Sequence, residues 1–96
     1  MAQYVILGKF TDQGIRGVKD TAKRAQAFRK TAESMGARVK DIYWTLGHYD
    51  VVTTLEAPND DTIASLLMKV GSLGNLKSET LRAFGEREID SILGRV

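Results

Sequence analysis

The stretch that decides the fold is Arg38-Val39-Lys40-Asp41-Ile42-Tyr43-Trp44-Thr45-Leu46-Gly47-His48-Tyr49-Asp50-Val51-Val52-Thr53-Thr54-Leu55-Glu56. β-Branched and aromatic residues crowd both arms, and Gly47-His48 lies between them. Such residues fit a pleated, half-buried surface, and a two-residue turn with glycine first is a favoured hairpin connection. The spacing predicts strands over Arg38–Leu46 and Asp50–Glu56, with Trp44 opposite Val51 and Leu46 opposite Tyr49. Ile42, Trp44, Leu46, Tyr49, Val51, Thr53 and Leu55 then share one face. Val39, Asp41, Tyr43, Thr45, Asp50, Val52, Thr54 and Glu56 share the other. A one-residue change in loop length exchanges the two sets.

On the N-terminal side, Gln3–Phe10 reads as a largely buried strand. A helical pattern follows as far as Met35, with Val18, Thr21, Ala22, Ala25, Phe28, Ala32 and Met35 on one arc. Gly17 and Asp20 predict a break near residues 17–20, and Gly36 a left-handed stop. The small Ala22, Ala25 and Ala32 predict close approach to whatever the helix covers. On the C-terminal side, Asp60 and Asp61 open a second helix with Ile63, Leu66, Leu67 and Val70 at i, i+3, i+4, i+7 spacing. Gly71 and Gly74 end it, Leu76–Ala83 alternates as a fourth strand, and Glu86–Arg95 forms a last amphipathic helix.

The order β-α-β-β-α-β-α predicts a ferredoxin-like α+β domain: a βαββαβ antiparallel sheet with an extra C-terminal helix. Its helices cover one face. The other carries Val39, Tyr43 and Val52, too apolar to be left wholly wet, so a second copy of the sheet is the expected cover.

The chain has 96 residues, 43% hydrophobic and 27% charged, which fits one folded domain over 1–96. With no cysteine and one histidine, disulfide frameworks, thiolate nucleophiles, iron–sulfur clusters and His-rich zinc sites are excluded, and no metal or cofactor is expected. A net charge of +2 gives only a weak pull on anions. The basic stripe Arg16, Lys19, Lys23 and Lys30 is diluted by Asp12, Asp20 and Glu33, so neither nucleic acid nor membrane is an expected partner. No segment has the length of a membrane span or the apolar core of a signal peptide, so a cytoplasmic protein is the expectation. Gly71-Ser72-Leu73-Gly74-Asn75 follows a helix and lacks Gly-Lys-Ser/Thr, which removes a phosphate-loop reading.

Several of these segments together resemble the GYD-domain family, named after a Gly-Tyr-Asp signature. They are Leu7–Gly14, the helix Arg24–Gly36, Tyr43–Asp50, Gly71–Asn75 and Glu79–Phe84. Here the signature is spaced, with His48 between Gly47 and Tyr49-Asp50. The resemblance implies a ferredoxin-like domain of the dimeric α/β-barrel type and implies no activity.

Candidate functional residues are few. His48 and Asp50 are the pair that general acid–base chemistry would use, although on a strand Tyr49 points away from both. The same residues are better accounted for by a structural hairpin, in which Gly47 permits the turn, Asp50 bonds local backbone amides and Tyr49 plugs the edge of the core. Tyr43 and Trp44 offer flat surfaces to a ligand or fill core. Lys9 and Arg82 are charges in otherwise apolar strands, able to hold an anion or to pair with Asp41, Asp50 or Glu79. The leading expectation is a homo-oligomeric domain binding an anionic or aromatic small molecule, through Lys9, Tyr43, Trp44, Tyr49 and Arg82 beside His48 and Asp50. The alternatives are a cofactor-independent isomerase or monooxygenase, and a purely structural oligomerisation module.

Overall fold

A computed structural model describes residues 1–96. The strands are β1 (Ala2–Phe10), β2 (Arg38–Trp44), β3 (Val51–Ala57) and β4 (Leu76–Ala83). The helices are α1 (Asp12–Arg16), α2 (Thr21–Ser34), α3 (Asp60–Gly71) and α4 (Glu86–Leu93). A 3₁₀ turn over Val18–Asp20 separates α1 from α2, at the break that Gly17 and Asp20 predict. The sheet runs β2-β3-β1-β4 with every pair antiparallel, which is the ferredoxin-like order.

The core lies between one sheet face and α2 and α3. Tyr4 and Ile6 of β1 stand opposite Leu55 and Thr53 of β3, and all four are buried. Leu66 and Ile63 of α3 and Ala32 of α2 close over them. Tyr4 completes its burial by donating its hydroxyl to Asp60 at the start of α3, 2.5 Å away. Asn59 caps the same helix, accepting the Thr62 N–H at 2.9 Å.

The hairpin departs from the sequence reading in two places. Trp44 does face Val51, but β2 ends there, and the chain closes through Thr45 N–H to the Asp50 carbonyl at 2.8 Å. Leu46 is therefore in a wider loop, fully exposed, and does not face Tyr49. The cause is Asp50, whose N–H is drawn to the Gly8 carbonyl of β1 at 2.8 Å. Its carboxylate Oδ2 also accepts the Phe10 N–H at 2.9 Å. In addition, a bulge at Lys40 shifts the register between Val39 and Asp41. Val39 thereby turns to the helix side and packs on the core, while Asp41, Tyr43, Val52 and Thr54 keep the open side.

The start of α1 locks onto the loop that ends α3. The Thr11 hydroxyl accepts the Gly14 N–H at 3.0 Å and donates to the Gly74 carbonyl at 2.6 Å. Gln13 Nε2 donates to the Leu73 carbonyl and to Asn75 Oδ1, both at 3.0 Å. Gly14 lies so close to this loop that a Cβ there would stand 2.0 Å from the Asn75 carbonyl oxygen. These contacts give two segments far apart in the chain, Thr11–Gly14 and Gly71–Asn75, a shared structural job.

Only eleven residues are buried, and the accessible surface is 6602 Å². A compact monomer of this mass exposes about 5,500 Å². The radius of gyration is 14.3 Å, against about 12.5 Å for a compact chain of this length. Large apolar side chains remain exposed in two regions. The open sheet face presents Tyr43 and Leu81, and α4 with the preceding Phe84 presents Ile89, Ile92 and Leu93 to solvent. No helix is long and apolar enough to cross a membrane.

Candidate functional site

The sequence candidates do not converge. Trp44 points to the helix side, where its indole Nε1 donates to the Thr21 hydroxyl at 3.0 Å. Tyr43, its neighbour on β2, points to the open face, with its hydroxyl 3.5 Å from Asp41 Oδ1. Lys9 is also on the open face, directly across from Lys77 and without an ion-pair partner. Like charges so placed repel each other, so the pair stays solvated. Tyr49 lies beside Glu79. Partial burial, with the Glu79 carboxylate adding to it, pushes the Tyr49 phenol above its ordinary pKa. The exposed His48 ring meets Tyr49 edge-on, with centroids 4.8 Å apart.

Arg82 stands elsewhere. It faces Tyr4 across β4–β1, on the helix side and about 17 Å along the sheet from Lys9. Its guanidinium lies over Tyr4 at 5.7 Å and Phe84 at 4.5 Å from the ring centroids. It also pairs with Glu88 of α4 at 3.3 Å, and donates to the Ala83 carbonyl. Arg82 thus anchors the C-terminal helix to the sheet, with Glu88 as partner in place of Asp41, Asp50 or Glu79.

The concave site is under the helices. A cavity of about 200 Å³ lies between α2, α3 and the sheet, and twelve of its 18 lining residues are hydrophobic. Phe10, Phe28 and Trp44 supply aromatic wall, while Ile42, Val51, Leu67, Val70 and Leu76 supply aliphatic wall. The small residues on α2 divide into two groups. Ala32 is fully buried against the core, so the helix approaches closely there. Ala25, nearer the start of the helix, lines the cavity, because short side chains at that end leave the space unfilled. The hollow opens to solvent at its rim, where Trp44 and Leu73 are exposed. Such a space is expected to hold solvent or a ligand.

Arg24 is the charge that sequence reading overlooked. Its Nη2 donates to the carbonyls of Gly14 at 3.1 Å and Gly17 at 2.6 Å, closing the C-terminal end of α1. Its Nε is buried and has no hydrogen-bond partner. The signal in sequence was faint: Arg24 sits at the margin of the apolar arc, next to Met35, instead of on the opposite basic stripe. No group of three His, Asp or Glu side chains is placed to hold a metal ion.

A four-stranded antiparallel sheet covered on one side by two helices defines a ferredoxin-like α+β domain, and comparison gives the family. The GYD domain model matches residues 4–93, and the chain belongs to the GYD domain family. A protein of Thermus thermophilus is 31% identical over 84 residues, covering 86% of this chain and 88% of its own. That relative is named glutamine synthetase and cystathionine beta-lyase binding protein. The crystal structure of TTHA0845, also from Thermus thermophilus, superposes with a TM-score of 0.58. That match covers 88% of this chain and 95% of the other at 21% identity, and it supports the fold.

Proposed function

We propose that this GYD domain is a homo-oligomeric small-molecule-binding protein whose ligand sits between the helices and the sheet. One observation carries the reading: the apolar hollow walled by Phe10, Phe28, Trp44 and Val70 already exists in the folded chain. Ligand sites are typically preformed, mostly apolar hollows with a few polar groups. The volume suits one aromatic ring with a short arm, since about 150 Å³ accommodates benzene. Of the residues singled out in sequence, Trp44 belongs to this site. Lys9, Tyr43 and Tyr49 face the other side of the sheet, where a second copy would meet them.

Self-association is supported by the uncovered sheet face, on which Tyr43 and Leu81 are large, exposed apolar side chains with no helix over them. Catalysis by His48 and Asp50 has less support. His48 is exposed, the Asp50 carboxylate is occupied by the Phe10 N–H, and neither lines the hollow. A thermal-shift screen of single-ring and short-chain compounds, acidic and neutral, tests the binding reading. Stabilisation by a subset is expected, and no shift across the set contradicts it.

A second reading, docking onto metabolic enzymes, draws on the Thermus relative's name and on the apolar residues exposed along α4. Surface-plasmon titration against purified glutamine synthetase and cystathionine beta-lyase tests it. Saturable binding at micromolar concentration is the expected result, and flat responses to both enzymes count against it.

A further inference from the structure

The hollow has a charge asymmetry that narrows its ligand. Arg24 and Lys69 are its two charged lining residues, and no Asp or Glu joins them. Arg24 also lacks a carboxylate partner: the chain's ion pairs are Lys40–Glu56 and Arg82–Glu88. Nη2 is held by the Gly14 and Gly17 carbonyls, which fixes the guanidinium in place. Nε is buried with no acceptor, and Nη1 makes no hydrogen bond to the protein. A guanidinium carries five N–H donors in a rigid fork; with Nη2 committed to the backbone and Nε enclosed, Nη1 is the nitrogen left for a ligand's acid group.

We propose that the site takes an apolar organic monoanion, an aromatic or short-chain carboxylate, with its acid group held by Arg24 and its apolar body against Phe10, Phe28 and Trp44. The inference rests on the hollow being a ligand site and adds the chemistry of the ligand. Lys69, a second cation on the lining, reinforces the preference for negative charge. The hydrophobic wall provides most of the contact area, and the guanidinium selects the acid over its neutral counterparts.

The test uses the only tryptophan as reporter, because Trp44 lines the hollow. Its emission is titrated with 3-phenylpropionate and with the neutral isostere 3-phenylpropanol. The acid is expected to bind at least about tenfold more tightly, as a charge-assisted hydrogen bond implies. Arg24→Met, checked for native circular dichroism, is expected to weaken the acid more than the alcohol and so to remove that preference. Arg24→Lys is expected to restore part of it. Equal affinity for acid and alcohol in the wild type overturns the anion assignment and leaves the hollow as a neutral-ligand site. Failure of both compounds to bind overturns the underlying binding reading as well. Because the wild-type comparison needs no variant, loss of folding in Arg24→Met leaves the test decisive.

Discussion

The indole N–H of Trp44 donates to the Thr21 hydroxyl at 3.0 Å, tying the outer strand of the sheet to the first turn of α2. The bond spans the side of the hollow that β2 borders, so Trp44 is both wall and fastening. Trp44→Phe keeps an aromatic wall and removes the donor. We expect it to lower unfolding stability by about 1 kcal/mol, measured by urea titration, with Thr21→Val producing a similar loss. Additive losses in the double variant would mean that the two side chains act independently.

Gly14 is the position least able to carry a side chain. Its missing Cβ leaves room for the Asn75 carbonyl, which would otherwise be 2.0 Å away. Backbone stands there, so relief requires moving α1 or the α3–β4 loop. Gly14→Ala is expected to cost about 3 kcal/mol in chemical denaturation. Gly47→Ala meets no atom within 4 Å and suffers only from its backbone φ of +109°, so a loss of about 1 kcal/mol is expected.

Alkaline pH should expose the buried phenol. The hydrogen bond to Asp60, then burial and the Asp60 charge, raise the Tyr4 pKa above 10.0, with Arg82 opposing. The folded state therefore favours the protonated phenol. That contribution is complete below pH 10.0 and is lost as pH rises from there through the folded-state pKa. Stability measured from pH 9 to 12 should fall, and Tyr4→Phe should flatten the fall while lowering stability at neutral pH by about 1–2 kcal/mol. An unchanged alkaline slope in Tyr4→Phe would assign the fall to other groups.

The uncovered sheet face should drive assembly. Sedimentation at micromolar concentration is expected to give a dimer or larger species. Leu81→Lys and Val52→Lys, both on the open face, are expected to shift it to single folded chains. Wild-type protein that sediments only as single chains would contradict the assembly reading.

Sequence periodicity disclosed the fold well, because strand alternation, helical arcs and glycine stops each report local physics. The restart of α2 after Gly17 and the burial of Leu66 follow from such local patterns. The bulge at Lys40 does not, since an inserted residue leaves no compositional trace, and it reversed the side on which Val39 lies. Asp50 likewise had to be seen bonding to Phe10, forty residues away, before the width of the hairpin loop made sense. The hollow was the least legible feature. It arises where Ala25 and Thr31 fail to fill space across three elements, and volume left empty between elements is not written in any one of them.

Diffraction from crystals grown with 3-phenylpropionate is the most direct measurement of where a ligand binds. Electron density for the ring is expected beneath α2 and α3, against Phe28 and Trp44. Density confined to the open sheet face beside Lys9 and Tyr43, with the hollow unfilled by the acid, would contradict that placement.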